Sequence, residues 1–314
     1  MSNTIKSYIS ILLVCLFWGF SFISTKICLQ WFTPFSLAFY RFLIASIILF
    51  FALKLTEKDM KIDKKDIIRF MLCGFSGVFL YFAFENLAIE MLSASLAAIF
   101  LALLPAFAIF ADYFILKSPF TRAKTLSVCL SVIGAALVAG FNMDGNSETM
   151  VLGIVLIILS VVSWIAFSYL AAPLQKKYSP LKATFYQSVF GTIFFLISMP
   201  FSMPNFEGFN MTGVLNLLFL GVICSAVCYL FYNFAIKHIS IVICSIFINL
   251  MPIVTIVASM FILNEKINLM QAIGAMFIIG SVFLVTKSEE KKLMQIKIQE
   301  AVVMICFLLG RQVK

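Results

Sequence analysis

The sequence has little charge, almost no histidine, and none of the common catalytic or nucleotide-binding motifs. Charged residues make up 12% of its 314 residues, and histidine occurs once, whereas soluble domains carry roughly 25% charged residues. There is no HExxH, no GxSxG and no GxxxxGK[ST] phosphate loop. These absences argue against an enzyme of the corresponding classes and against ATP as the energy source within this chain. We therefore predict a protein that is not an enzyme and needs no cofactor.

The cysteines form no recognisable pattern either. Eight are present, mostly inside apolar runs, with no CxxC pair and no Cys/His cluster. Neither a disulfide framework nor a metal site is indicated. We interpret them as small packing residues.

Long apolar runs dominate the chain. The sequence is 63% hydrophobic and its mean hydropathy is +1.09, which is more apolar surface than a soluble globule of this length could hide from water. Several runs reach the ~20 residues that a membrane-spanning helix needs. The pattern predicts an all-α polytopic membrane protein with ten transmembrane helices, spans 1 to 10, at roughly 8–27, 34–54, 67–87, 92–116, 124–140, 150–173, 181–199, 212–235, 240–263 and 267–285.

The basic residues predict the orientation of these spans. With the N-terminus in the cytoplasm, 20 of the 23 Lys and Arg residues fall on the inner side, and only Lys26 and Lys266 fall on the outer side. Cytoplasmic loops are enriched in Lys and Arg. We therefore predict a multi-pass protein of the cell inner membrane with both termini cytoplasmic. The net charge of +9 needs no nucleic-acid partner, and the first apolar run is interpreted as a span and not as a cleaved leader.

The chain repeats itself internally. Residues 81–116 align without a gap on residues 228–263, so that Asn86 falls on Asn233 and Pro105 on Pro252. Earlier in the chain the offset is 146 residues, which places Trp18 on Trp164. Shared apolar residues are expected in such a sequence, but shared Asn, Pro and Trp at a constant offset indicate duplication.

The repeat unit contains five predicted spans, an odd number, so the second copy enters the membrane from the opposite face. Inverted repeats are typical of secondary transporters, with the substrate site near the midplane between the halves. We predict a first five-helix repeat at 8–140, a second at 150–286, and a cytoplasmic tail at 287–314.

Two charged residues, Arg41 and Glu85, lie within spans 2 and 3 at similar predicted depth below the outer surface. Charges within spans are rare and usually face a cavity or a partner. Two alternatives remain open for them. They form either a substrate-facing pair that recognises a carboxylate and an amine, or a structural ion pair between the two spans.

Other polar, aromatic and proline residues within the spans have two interpretations as well. Pro105 and Pro252 each remove one helix hydrogen bond, and are either packing kinks or symmetry-related hinges. The aromatic and amide residues either pack between helices or line a cavity for an amphipathic metabolite. Together with the charged pair, the predicted substrate-binding residues are Trp18, Arg41, Tyr81, Glu85, Trp164, Tyr186, Gln187, Tyr232 and Asn249.

Four stretches carry a resemblance to a known family. They are LFWGFSF in span 1, TPFSLAFYRF entering span 2, ASLAAIFLALLPAFAIF in span 4, and INLMPIVTIVASMFILNEKI in span 9. In this order the chain resembles the drug/metabolite transporter superfamily, and in particular its EamA-type members with two EamA domains. The usual Leu-Gly-Glu after span 9 is Leu263-Asn264-Glu265 here, and the first half has Leu116-Lys117-Ser118 in its place.

The resemblance implies a ten-helix carrier of small organic solutes, often moving them outward. We therefore expect a secondary transporter of amino acids or similar metabolites that exports by alternating access. The expected partners are a small-molecule substrate and the lipid bilayer, and a homodimer is left open. The alternatives are a non-transporting scaffold or receptor and an intramembrane enzyme.

Overall fold

The chain is known from a computed structural model. The structure describes residues 3–57, 59–117, 121–140, 147–199, 203–239, 244, 247–248, 250–266, 268–270, 272–277, 279–281 and 283–284. The predicted tail 287–314 and Asn249 lie outside these residues.

The described residues form helices and no strand, which confirms the all-α class. Two of the long helical segments contain a π-helical stretch, one at Phe75–Leu80 and one at Phe219–Val227. The α-helices, numbered in chain order, are α1 Asn3–Cys28, α2 Pro34–Thr56, α3 Lys64–Gly74, α4 Tyr81–Met91, α5 Ala94–Leu101, α6 Leu104–Leu116, α7 Arg122–Gly140, α8 Ser147–Lys177, α9 Pro180–Ser198, α10 Met211–Leu218, α11 Cys228–His238 and α12 Met251–Ile262.

Seven helical segments of the described residues are long and apolar enough to cross a membrane. They coincide with predicted spans 1 to 4 and 6 to 8, whereas α12 and the segment Ala272–Ser281 are shorter apolar helices. The count of ten stays a prediction. The seven segments are Asn3–Cys28, Pro34–Thr56, Lys64–Met91, Ala94–Ile115, Glu148–Lys177, Pro180–Ser198 and Met211–His238.

The second helix of each half begins in the same way. Thr33 caps α2 by accepting a hydrogen bond from the Ser36 amide, and Ser179 caps α9 by accepting one from the Lys182 amide. A proline follows each cap and begins the helix, where its missing N–H costs nothing because the first turn has no intrahelical acceptor for it. The local chemistry therefore starts both helices at equivalent positions.

The two prolines of spans 4 and 9 also begin helices. Span 4 is not one continuous helix, because α5 ends at Leu101 and α6 begins at Leu104, with Pro105 in its first turn. Pro252 lies in the first turn of α12. The sequence left open a packing kink or a hinge at each proline. The structure places each proline in the first turn of a helix, which is the position that proline favours.

Loops predicted on the outer side contact one another. The Lys26 ammonium donates to the carbonyls of Ile89 (2.6 Å) and Leu92 (2.8 Å) at the end of span 3. The Glu265 carboxylate accepts from the amides of Ala94 (2.8 Å) and Ser95 (3.1 Å), so it caps the N-terminus of α5, where a negative charge is favourable. We call these contacts the outer seal.

Loops predicted on the inner side contact one another in the same manner. Lys177 pairs with Asp63 and with Asp66, the latter at 2.6 Å. Lys182 pairs with Glu57 at 3.3 Å. These contacts, the inner seal, join the loop after α2 to the turn between α8 and α9. Each set of contacts therefore joins loops that the sequence predicts on the same side of the membrane.

Equivalent helices of the two halves pack in equivalent ways. Helix α2 packs on α9, α4 packs on α8 as α11 packs on α1, and α5 packs on α12. Two pairs of equivalent residues even contact each other. The Trp18 and Trp164 rings are 5.3 Å apart, and the hydroxyls of Ser46 and Thr192, which differ by 146 in number, are 3.2 Å apart. Equivalent residues that touch lie close to the axis that relates the halves.

Candidate functional site

Four aromatic side chains meet between the halves, at the Trp18–Trp164 contact. The Trp164 ring lies 5.1 Å from Tyr232 and 5.7 Å from Tyr229, and Trp18 lies 5.7 Å from Tyr229. All four rings are buried. We call Trp18, Trp164, Tyr229 and Tyr232 the aromatic cluster. The structure thus brings together three residues that the sequence predicts for the site, from helices α1, α8 and α11.

A small cavity borders the aromatic cluster. Its volume is about 20 Å³, which is enough for about one water molecule. A metabolite would therefore need its walls to move apart. The lining residues are Trp18, Ser21, Phe22, Arg41, Tyr81, Phe82, Glu85, Trp164 and Met251.

Arg41 is the most unusual residue of this cavity. Its side chain is 1% exposed. Its Nε donates to the Ser225 hydroxyl at 2.9 Å, and its guanidinium lies 4.3 Å from the Phe82 ring centre. Nη1 has no hydrogen-bond partner among the described residues. A buried donor without an acceptor costs free energy. An anionic ligand that accepts a hydrogen bond from Nη1 would remove this cost.

Glu85 lies in the same cavity but does not pair with Arg41. Its carboxylate accepts from the Tyr81 hydroxyl at 2.7 Å, and the ion pairs of the inner seal do not involve it. The sequence left open a structural ion pair between Arg41 and Glu85. Such a direct pair is not formed in this structure, and the two side chains bond instead to Ser225 and to Tyr81.

Gln187 lies in a separate group of buried polar side chains. The Asn233 amide nitrogen donates to Gln187 Oε1 (3.0 Å) and to Thr184 Oγ1 (2.8 Å), and Gln175 Nε2 donates to Asn233 Oδ1 (2.6 Å). We call Gln175, Thr184, Gln187 and Asn233 the amide cluster. It joins α8, α9 and α11, and none of its members lines the cavity.

The other predicted site residues lie elsewhere. The Tyr186 hydroxyl donates to the Met60 carbonyl at 2.7 Å, and its ring packs on Phe70, so it contacts the loop of the inner seal and not the cavity. Tyr186 and Gln187 are adjacent on a helix, so their side chains point in different directions. They therefore contact different parts of the protein. Asn249 is outside the described residues.

The π-helical stretches supply contacts that sequence reasoning missed. Trp18 Nε1 donates to the Cys224 carbonyl (3.0 Å), and the Tyr229 hydroxyl donates to the Gly77 carbonyl (2.7 Å). Arg41 bonds to Ser225 in the second stretch. Such bulges often occur at functional sites. In the sequence, the only indication of these contacts is that the two stretches align with each other in the repeat. Because their residues are mainly apolar, this alignment did not suggest a functional role.

A larger groove lies outside the site. Its volume is about 520 Å³, yet it is mainly apolar and borders neither the aromatic cluster nor Arg41. A groove of this kind suits an acyl chain better than a polar solute. Its lining residues are Lys6, Ile9, Ser10, Leu13, Ser179, Pro180, Leu181, Leu230, Phe231 and Phe234.

No group of three or more His, Cys, Asp or Glu residues that could hold a metal ion occurs in the part of the chain that the structure describes. Chemically, the arrangement offers a guanidinium with a free donor, a carboxylate and aromatic faces. These groups suit the binding of a small amphipathic solute that carries a carboxylate.

Comparison with known proteins agrees with a transport role. A sequence model described as the EamA-like transporter family matches residues 5–140 and again 151–287. Two proteins, each named "Uncharacterized transporter", are similar over most of the chain. One, from Clostridium kluyveri, is 30% identical, with 93% of this chain and 96% of that protein covered. The other, from Archaeoglobus fulgidus, is 29% identical, with 91% and 99% covered.

A more distant relative and a solved structure extend this result. A protein of Streptantibioticus cattleyicolor named "Probable terminal-alkyne amino-acid exporter" is 21% identical, with 90% of this chain and 94% of that protein covered. A crystal structure that is 15% identical has a TM-score of 0.65, with 91% of this chain and 99% of that chain covered. The likeness to the crystal structure concerns the fold alone.

Proposed function

This chain belongs to the EamA-like transporter family, and we propose that it is a secondary transporter that exports small carboxylate-bearing metabolites, amino acids or similar solutes, by alternating access. The observation that carries this proposal is the Arg41 guanidinium. It is 1% exposed, lines a cavity between the two halves, and has an unpartnered Nη1 among the described residues.

The cavity residues suggest how such a solute binds. A carboxylate would accept from Arg41 Nη1, in the charge-assisted geometry that a planar guanidinium favours. Glu85 would receive an ammonium group, and the faces of Trp18 and Trp164 would contact the apolar part of the solute. The relative named as an amino-acid exporter supports both the solute class and the outward direction.

The repeat supports alternating access. We propose that the halves are related by an axis in the membrane plane, with ten spans in all. The Trp18–Trp164 and Ser46–Thr192 contacts support this arrangement, because each pair joins residues near the middle of their helices. In an inverted repeat, a change in one half opens the site to one side of the membrane, and the equivalent change in the other half opens it to the opposite side.

Closure at both ends also fits this mechanism. The outer seal joins α1, the turn before α5 and the loop after α12, and the inner seal joins the loop after α2 to the start of α9. Because the cavity holds only about one water molecule, this conformation corresponds to an occluded step of the transport cycle, in which the site is closed at both ends. The helix starts at Pro105 and Pro252 are the proposed hinges, because the backbone between α5 and α6 is already interrupted.

Metabolite profiling tests the function. We expect cells that overproduce the protein to accumulate a carboxylate-bearing solute outside the cell, and deletion cells to retain it inside. Vesicles with the protein should move that solute without altering it. Equal solute distributions in the two strains would contradict transport and favour a scaffold or receptor, and chemical conversion of the solute would indicate an enzyme.

Orientation has its own test. Because 20 basic residues are predicted on the inner side and Lys and Arg favour the cytoplasm, we expect both termini to be cytoplasmic in the cell inner membrane. A reporter that is active only in the periplasm should be silent when fused after Thr286 and active when fused within the predicted outer loop at Glu207. Activity after Thr286 would overturn both the orientation and the ten-span count.

A further inference from the structure

One residue of the amide cluster, Gln187, is the repeat equivalent of Arg41 in the cavity. Arg41 and Gln187 are each the eighth residue of α2 and α9. Asn86 and Asn233 are each the sixth residue of α4 and α11, although Asn86 donates to the Pro34 carbonyl and does not line the cavity. Duplication has therefore placed two polar groups at equivalent places, and one half carries a guanidinium where the other half carries an amide.

The predicted orientation separates the two groups, because α2 begins on the predicted outer side and α9 on the predicted inner side, and Arg41 and Gln187 each lie in the first half of their helix. The Arg41 cavity borders Trp18 and Trp164. Trp164 contacts Tyr232, which bonds to Ser168 at 3.1 Å and is followed in the chain by Asn233. The amide cluster also adjoins the helix start at Pro180, next to the inner seal.

The hydrogen bonds of the amide cluster leave defined atoms free. The Thr184 hydroxyl donates its hydrogen to the Pro180 carbonyl, so it can only accept from Asn233, and this requires Asn233 Nδ2 on that side. With Asn233 oriented in this way, Gln175 donates to its Oδ1 and Gln187 accepts from its Nδ2. Gln175 Oε1, Gln187 Nε2 and Ser188 Oγ then have no hydrogen-bond partner among the described residues. Each of these side chains is at most 1% exposed. Buried polar atoms are rarely left without partners, so one free acceptor and one free donor in the same cluster need an explanation.

We propose that the amide cluster is a second binding site, on the inner side of the aromatic cluster, for an uncharged carboxamide or hydroxyl group of the transported solute. This inference rests on the proposed function. The amide cluster and Ser188 are neutral side chains, and a buried ion without a countercharge is strongly disfavoured, so the ligand group is neutral. A carboxamide has one acceptor and one donor edge, which match Gln187 Nε2 and Gln175 Oε1.

The test uses butanamide and butanoate, two probes of similar shape that differ in charge. The full chain is studied in lipid nanodiscs as the Trp31→Phe variant, so that Trp18 and Trp164 are the fluorescent tryptophans, since the sequence has three. Both probes should change the fluorescence saturably. Gln187→Leu should weaken butanamide binding about tenfold and leave butanoate binding within about twofold, because a neutral hydrogen bond is lost at one site only.

Further variants keep this test decisive. Arg41→Met should weaken butanoate and spare butanamide, and Ser46→Ala, which lies outside both sites, should change neither titration. If Gln187→Leu is recovered poorly on size exclusion, Ser188→Ala removes a single hydroxyl and should itself weaken butanamide. A butanamide signal that does not saturate, or that is insensitive to Gln187→Leu and Ser188→Ala, overturns the second site and leaves the proposed function standing. Unchanged butanoate binding in Arg41→Met instead counts against the carboxylate site of the proposed function.

Discussion

Replacing Arg41 with methionine is expected to reduce export about ten- to a hundredfold while the protein still folds. A charge-assisted hydrogen bond from the unpartnered Arg41 Nη1 to a carboxylate contributes about 1.5–3 kcal/mol, and each 1.4 kcal/mol corresponds to about a tenfold change. Folding should be spared because Arg41 bonds to the Ser225 hydroxyl and forms no ion pair with Glu85. The measurement is the export rate of the profiled solute at equal protein level.

Three further variants decide between a binding and a structural role for Arg41. Arg69→Met is the matched control, because Arg69 is exposed on α3, and it should export at the wild-type rate. Glu85→Gln alone and together with Arg41→Met should fold but export poorly. A structural pair would behave differently, because breaking one partner of a buried ion pair costs about 3–5 kcal/mol and removing both restores much of it. Recovery of folded yield in the double variant would therefore contradict the binding role.

The second large effect is expected on stability, from Gly191→Ala. A Cβ at this position would lie 2.2 Å from Val78 Cγ1 and 2.3 Å from Val78 Cβ. Val78 Cβ is attached directly to the backbone, so α9 and the first π-helical stretch would have to separate. Overpacking of this kind costs about 1–3 kcal/mol and occasionally more, and we expect about 3 kcal/mol here. Small residues permit such close contact between membrane helices.

Thermal unfolding of the purified protein in detergent measures this effect. Gly280→Ala is the matched control, because no atom of the described residues lies within 4 Å of a Cβ at Gly280, and its midpoint should equal that of the wild type. The double variant Val78→Gly with Gly191→Ala should lose less than the sum of the two single losses, since contacting residues are not additive. Equal midpoints for Gly191→Ala and Gly280→Ala would show that the helices do not approach this closely.

The sequence alone was enough to predict the class, the family and the internal repeat. These depend on composition and on the linear spacing of residues, which need no knowledge of how helices pack. The pairing of Trp18 with Trp164 across the repeat also followed from spacing, and the structure brings these two rings together. Arg41 and Glu85, which the sequence places at similar depth, line one cavity in the structure.

Only the tertiary structure decided which of these residues bond to one another. Depth along a helix is readable from the sequence, but rotation about the helix axis and the crossing angles of neighbouring helices are not. For this reason Arg41 bonds to Ser225 and not to Glu85, Gln187 bonds to Asn233 away from the cavity, and Tyr186 contacts the inner seal. The π-helical stretches add a further rotation within two spans, and apolar residues do not reveal it. A helix turns by about 100° per residue, so one residue of register decides whether a side chain reaches the cavity, another helix or lipid.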